Sequence, residues 1–214
     1  MSEVVPCEWK ALTELSDGAA YEGEWSIDGL RHGVGTLYTA NGGLLEGTWR
    51  NGKLTGKGRA IYPNGAYYIG SFADGLRHGT GKQTEDDGIS YDGEWRHDQQ
   101  TGQATELWPD GAKFVGSFVN GKKTGKGSFI WPDRSSYDGD FVDDKIEGQG
   151  RYQWSDGRIY DGQWFDNKMH GFGKFTWPDG RIYEGNYFLD KKQGHGLFIW
   201  TTGKKYDGEW LDGK

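Results

Sequence analysis

The sequence holds a single cysteine, Cys7, so no internal disulfide can form, and the chain suits a reducing compartment. Leu, Ile and Val are too sparse for an ordinary aliphatic core. No apolar run approaches the roughly 20 residues of a membrane span. The first ten residues lack the apolar stretch of a secretory leader. Ser2 stands where a myristoyl glycine would, and no prenylation box closes the chain. Excess basic charge is missing too: the net charge is −7. That balance argues against duplex nucleic acid and anionic membranes as simple electrostatic partners. No segment has the 3.6-residue period of an amphipathic helix.

What the chain has is glycine and rings: 38 Gly, 11 Trp, 12 Tyr and 10 Phe in 214 residues. It is too aromatic for a disordered polymer, and its apolar burial must come mainly from rings. The rings fall into a repeat. Tyr21-Glu-Gly-Glu-Trp25 returns as Leu45-Glu-Gly-Thr-Trp49, Tyr68-Ile-Gly-Ser-Phe72 and Tyr91-Asp-Gly-Glu-Trp95, and onward to Tyr206-Asp-Gly-Glu-Trp210. The first step is 24 residues, with the extra one in the turn Ser26 to Gly29, and each later step is 23. A Gly-x-Gly tract keeps the same period, as in His32-Gly-Val-Gly35 and His170-Gly-Phe-Gly173; one copy, Thr101-Gly-Gln-Ala104, loses its second glycine. An Asx-Gly pair is the third mark, from Asn64-Gly65 to Asp179-Gly180, broken at Asp133-Arg134.

Asx-Gly between short aromatic runs predicts a hairpin, because these residues tolerate positive φ. Each repeat therefore reads strand, turn, strand, turn. Alternation puts Tyr160, Gly162 and Trp164 on one face, with Gly171, Gly173, Phe175 and Trp177 on the same side of the partner strand. The glycines leave room for rings to lie flat. The fold class is thus all-β: an elongated, twisted, single-layer antiparallel sheet of tandem hairpins. It advances roughly 9–10 Å per repeat and about 75 Å over eight. Residues 1–16 are expected to cap the array, and 17–214 to hold eight full repeats and the first strand of a ninth.

This pattern resembles the MORN repeat family (membrane occupation and recognition nexus). The resemblance covers about Asp17 to Lys214, with departures at Leu45, Ala104 and Arg134. It implies an elongated antiparallel sheet with an aromatic groove, and a scaffold rather than an enzyme. No lipid kinase, methyltransferase or membrane-anchor domain of multidomain relatives fits in this chain. The array-only members include cytoskeletal scaffolds and radial spoke head proteins. Those imply a cytoplasmic, cytoskeletal protein of the cilium or flagellum axoneme, with other spoke or axonemal subunits as partners.

Other motifs weigh less. The Gly-x-Gly tracts lack the strand-to-helix context and the Gly-Lys-Ser/Thr ending of a phosphate cradle. His32, His78 and His170 share a slot two and four repeats apart, too far to hold one metal ion. Acids follow the first aromatic as a ladder, Glu22 to Asp207, facing bases such as Arg59 and Lys174, and read as a solvated face. The turn rim mixes lysines with aspartates, so its charge nearly cancels and lipid binding ranks below protein binding. No catalytic residue, metal or cofactor is expected. The partner-binding residues expected on the aromatic face are Trp108, Trp131, Trp154, Trp177 and Trp200, with Trp164 and Tyr187. At the C-terminal edge, Tyr206 and an exposed Trp210 are expected to receive another strand, from a second copy or another protein.

Overall fold

In the computed structural model, residues 6–214 are described. They form strands joined by turns, with no helix among them. The chain divides into two compact units, Met1–Pro109 and Asp110–Lys214. The first unit contains β1 (Cys7–Glu14), β2 (Ala20–Ser26), β3 (Arg31–Tyr38), β4 (Leu44–Arg50), β5 (Lys53–Ile61), β6 (Tyr67–Ala73), β7 (Leu76–Thr84), β8 (Ser90–Arg96) and β9 (Gln99–Leu107). The second contains β10 (Lys113–Val119), β11 (Lys122–Ile130), β12 (Ser136–Val142), β13 (Lys145–Gln153), β14 (Ile159–Phe165), β15 (Lys168–Thr176), β16 (Ile182–Phe188), β17 (Lys191–Ile199) and β18 (Lys205–Trp210). Within each unit, successive strands pair antiparallel, as in β14 with β15 and β15 with β16. Of the expected cap, residues 1–5 lie outside the described residues. β1 does not fold over the array; it pairs along β2 with Trp9 opposite Glu24, and Trp9 is exposed.

The two glycines of each Gly-x-Gly tract do different work. Gly171 has φ +61° and sits where the register slips, so that Gly162 pairs with Gly173 but Trp164 pairs with Met169. This bulge, absent from the simple alternation read from sequence, needs a residue that adopts the left-handed region without penalty. Gly173 has no such φ. Its place is fixed by space, because an added Cβ would run into the ring and hydroxyl of Tyr160. Tyr160 lies flat across the paired glycines, fully buried, and its hydroxyl donates to the Gln163 carbonyl at 2.9 Å. The copy that carries Ala104 accommodates it as a buried residue opposite Gly93.

The turns also differ from the simple reading. At Asn64-Gly65 only glycine takes positive φ, +92°. The Gly65 N–H donates to the Tyr62 carbonyl, and the Asn64 side chain accepts from the Ala66 N–H at 3.2 Å. From Asn51-Gly52 onward the opposite turns put both central residues at positive φ, the I′ geometry. Four do so without glycine: His97-Asp98, Asp143-Asp144, Asp166-Asn167 and Leu189-Asp190. There the second residue couples repeats. The Asp190 N–H donates to the Met169 carbonyl at 2.9 Å, and the Met169 N–H donates back to the Asp190 carboxylate at 2.8 Å.

The core is a layer of first-strand rings. Each tyrosine meets the ring of its own strand edge-on, and often that of the next repeat: Tyr160 is 5.1 Å from Trp164 and 5.3 Å from Tyr187. Tyr21, Tyr68, Tyr137, Tyr160 and Tyr183 are all 0% exposed. The indoles tie repeats together as well. Trp49, Trp95, Trp164 and Trp210 donate Nε1 to the carbonyls of Gly35, Gly81, Gly150 and Gly196 at 2.9–3.0 Å. Trp25 faces β1, which has no such glycine, and its buried Nε1 has no partner among the described residues.

Candidate functional site

Above this layer, the second strand of each repeat contributes two further side chains to the same face: the residues two and four places after the second glycine. In the second unit those slots hold Phe129 and Trp131, Tyr152 and Trp154, Phe175 and Trp177, and Phe198 and Trp200. They form one continuous file. The first centroid steps are 4.5 Å from Phe129 to Trp131, 5.1 Å on to Tyr152 and 4.6 Å on to Trp154. The file goes on by 5.2 Å to Phe175, 4.4 Å to Trp177, 5.6 Å to Phe198 and 4.7 Å to Trp200. The tilts between successive planes run from 32° to 55°, so the rings stack like leaning plates. Phe175 and Phe198 are buried, Trp131, Trp154 and Trp177 are half-buried, and Trp200 is 36% exposed.

In the first unit the same slots hold Leu37 and Thr39, Ala60 and Tyr62, Gln83 and Glu85, and Glu106 and Trp108. No file forms from such residues; Trp108 is half-buried at the last slot. Of the expected partner-binding residues, then, Trp131, Trp154, Trp177 and Trp200 come together. Trp164 and Tyr187 do not join the surface: they belong to the layer beneath, only 7% and 5% exposed. Alternation gives the face a side chain points to, but not how deep it lies.

Cations border the file. The guanidinium groups of Arg158 and Arg181 lie 5.2 Å from the rings of Trp154 and Trp177, and each is paired with a carboxylate, Asp156 or Asp179, at 2.8 Å. Hydrogen bonds from Arg158 and Arg181 hold those two carboxyls below the usual range. Lys192 differs. Its ammonium lies 5.4, 4.9, 4.6 and 4.4 Å from the rings of Trp177, Tyr183, Phe198 and Trp210. It is half-buried, and burial, with Arg181 nearby, lowers its pKa. By sequence Lys192 lies on the turn rim, where lysines and aspartates nearly cancel. Its register opposite Tyr187 is the signal that puts it on the ring face.

The outer face of the second unit carries its own apolar line. Val119, Val142, Phe165 and Phe188 end first strands and Leu211 directly follows β18; the five are 50–67% exposed. The first four stand opposite Lys122, Lys145, Lys168 and Lys191. Lys122, Lys145 and Lys191 pair with Asp143, Asp166 and Asp212 at 3.8, 2.6 and 3.0 Å. The first unit has Ser26, Arg50, Ala73 and Arg96 at the same places. At the last strand, Tyr206 is exposed, but Trp210 is half-buried with its indole bonded to Gly196, which corrects the expectation of an exposed ring. Among the described residues, no group of three or more His, Cys, Asp or Glu could hold a metal ion.

A family model described as MORN repeat matches nine successive segments, from 21–44 and 46–67 through 183–205 and 206–214. A search of curated proteins found no match. Among solved structures, the chain is similar to the TCP10 domain of Danio rerio CPAP, at 15% identity and a TM-score of 0.39, covering 92% of this chain and 93% of that one. It is similar as well to the TCP domain of Drosophila melanogaster SAS-4, at 13% identity and 0.40, covering 98% and 99%. A Staphylococcus aureus virginiamycin B lyase gives 7% identity and 0.20 over 94% and 84%. Scores this low assign neither fold nor function.

Proposed function

The chain belongs to the MORN repeat family, whose arrays fit structural and interaction roles, and from that premise we propose that it is a non-catalytic scaffold that docks a protein on the ring face of its second unit. One observation carries this reading. The buried layer of first-strand rings is enough to make a sheet, as the first unit illustrates, yet the second unit adds an eight-ring file with accessible tryptophans. Accessible aromatic stripes mark interaction surfaces. The setting we propose is the radial spoke head of a ciliary axoneme. It is supported by the resemblance of a whole-chain acidic array to family members found there. The test is to tag the chain in ciliated cells, locate it, and identify what co-purifies. Diffuse cytosolic signal with no axonemal proteins recovered defeats the spoke proposal.

The docking face is tested separately, by replacing Trp131 and Trp154 with Ala. A folded variant that captures the partner as well as the unaltered chain removes it. Strand addition at β18 is a further proposed contact, checked by hydrogen exchange of residues 206–210 with and without the partner.

A second reading, membrane tethering, draws on the outer line of Val119, Val142, Phe165, Phe188 and Leu211 beside its lysines. Three of those lysines are already neutralised by aspartates, which ranks lipid below protein. Acidic liposomes should not sediment the chain at physiological salt. Sedimentation that fades as salt rises reverses the ranking.

A further inference from the structure

The file of rings has a period, and that period selects a ligand. Equivalent tryptophans recur every second strand, about 9.6 Å apart at the spacing of antiparallel strands. The short centroid steps through the intervening ring agree with this. A polyproline II helix repeats every three residues, about 9.3 Å. Over the three steps from Trp131 to Trp200 the mismatch is therefore about 0.9 Å, well within side-chain adjustment. A helix that places one apolar residue per heptad advances about 10.5 Å and drifts about 2.7 Å over the same distance. An extended strand advances about 6.7 Å per two residues, so it can meet only every second tryptophan with a side chain on the same face.

Backbone chemistry points the same way. The strands of this face spend their N–H and C=O groups on one another. A ligand lying across them gains nothing from backbone donors. Polyproline II has no internal hydrogen bonds to protect, and proline brings no N–H to satisfy. Charge adds the last element. Arg158 and Arg181 each have an aspartate; Lys192 has no carboxylate or hydrogen-bond acceptor among the described residues.

We propose that this face receives an extended segment of a protein partner in the polyproline II conformation, laid across the strands, with a proline at every third residue stacked on Trp131, Trp154, Trp177 and Trp200 and a carboxylate set against Lys192. The proposal rests on the reading that this face docks a protein.

The probe is an acetylated twelve-residue peptide of Pro-Ala-Glu repeats, labelled for fluorescence anisotropy against the full chain. A composition-matched peptide has its prolines out of step, and a third peptide carries Gln for Glu. We expect the in-step peptide to bind at least tenfold tighter than the permuted one. Trp154→Ala with Trp177→Ala should abolish binding. Lys192→Met, which keeps the stem among the rings, should weaken the Glu peptide severalfold and leave the Gln peptide unchanged. Equal affinity for in-step and permuted peptides overturns the proposal. So does equal loss of the Glu and Gln peptides in Lys192→Met, or absence of in-step binding up to millimolar concentration. A random-peptide selection separates the two levels. Ligands without proline that need Trp154 and Trp177 overturn the polyproline assignment but keep the docking face; ligands indifferent to both tryptophans overturn both.

Discussion

The two units are built on one plan and finished differently. Both bury a layer of first-strand rings over paired glycines: Tyr68 meets Phe72 and Trp95 at 5.1 and 5.4 Å, and Tyr160 meets Trp164 and Tyr187 at 5.1 and 5.3 Å. They part at the second-strand slots. There the first unit has Leu37, Ala60, Gln83 and Glu106, while the second has Phe129, Tyr152, Phe175 and Phe198. The outer ends of the first strands diverge as well, from Ser26, Arg50, Ala73 and Arg96 to Val119, Val142, Phe165, Phe188 and Leu211. A side chain that the repeat needs for folding is present in both units. One present in the second unit alone is a candidate for something other than folding.

The largest effect should come from breaking the shared layer. Tyr68→Ala and Tyr160→Ala remove fully buried rings and should each cost about 3–5 kcal/mol, nearly alike in the two units. Chemical denaturation with hydrogen exchange resolved by segment checks this. A cost confined to one unit means the layers are not equivalent.

Alkaline pH attacks the same layer. Burial pushes the Tyr21, Tyr68 and Tyr183 phenols up to about 12. Unfolded tyrosines ionise near pH 10, so the folded state binds protons that the unfolded state has released. The stabilisation is complete below about pH 10 and is lost as pH rises toward 12. Urea midpoints should fall across that window. Midpoints flat from pH 9 to 12 contradict the assignment.

The ring file should matter less to stability and more to binding. Trp154→Ala removes a half-buried ring and should cost about 1–2 kcal/mol, against a tenfold or greater loss of ligand. The comparison sharpens if the first unit is given the missing rings. Gln83→Phe with Glu85→Trp extends a file there, and thermal unfolding should show it tolerated. Global unfolding on grafting would mean those slots are polar for structural reasons.

Much of this contrast was legible in the sequence, because a 23-residue period makes every slot comparable with its neighbours. Strand order and the shared face both follow from that register. Three things were not. Side-chain parity cannot give depth: it puts Trp164 and Tyr187 on the ring face, but they are only 7% and 5% exposed. Parity also assumes an unbroken ladder, and the bulge at Gly171 moves Met169, not glycine, opposite Trp164. Charge counting along the rim hid Lys192, whose surroundings are four rings contributed by three strands and a turn.

The smallest expected effect tests the turn that ties repeats together. Both units use two solutions at the second turn position: glycine relaxed at positive φ, as at Gly52, Gly75 and Gly121, and a non-glycine residue held there, as at Asp98 and at Asp190 with φ +70°. Asp190 accepts the Met169 N–H at 2.8 Å, a bond glycine cannot offer. The two solutions oppose one another. A hydrogen bond of this kind contributes about 1 kcal/mol, and a non-glycine residue in the left-handed region costs about 1 kcal/mol. Asp190→Gly trades one for the other and should change stability by less than about 0.5 kcal/mol. Asp190→Ala loses the bond and keeps the strain, so it should cost about 1–2 kcal/mol. Urea denaturation of the two variants side by side decides it. Equal costs would mean that the backbone there carries no strain; a neutral Asp190→Ala beside a stabilising Asp190→Gly would mean that the carboxylate bond contributes nothing.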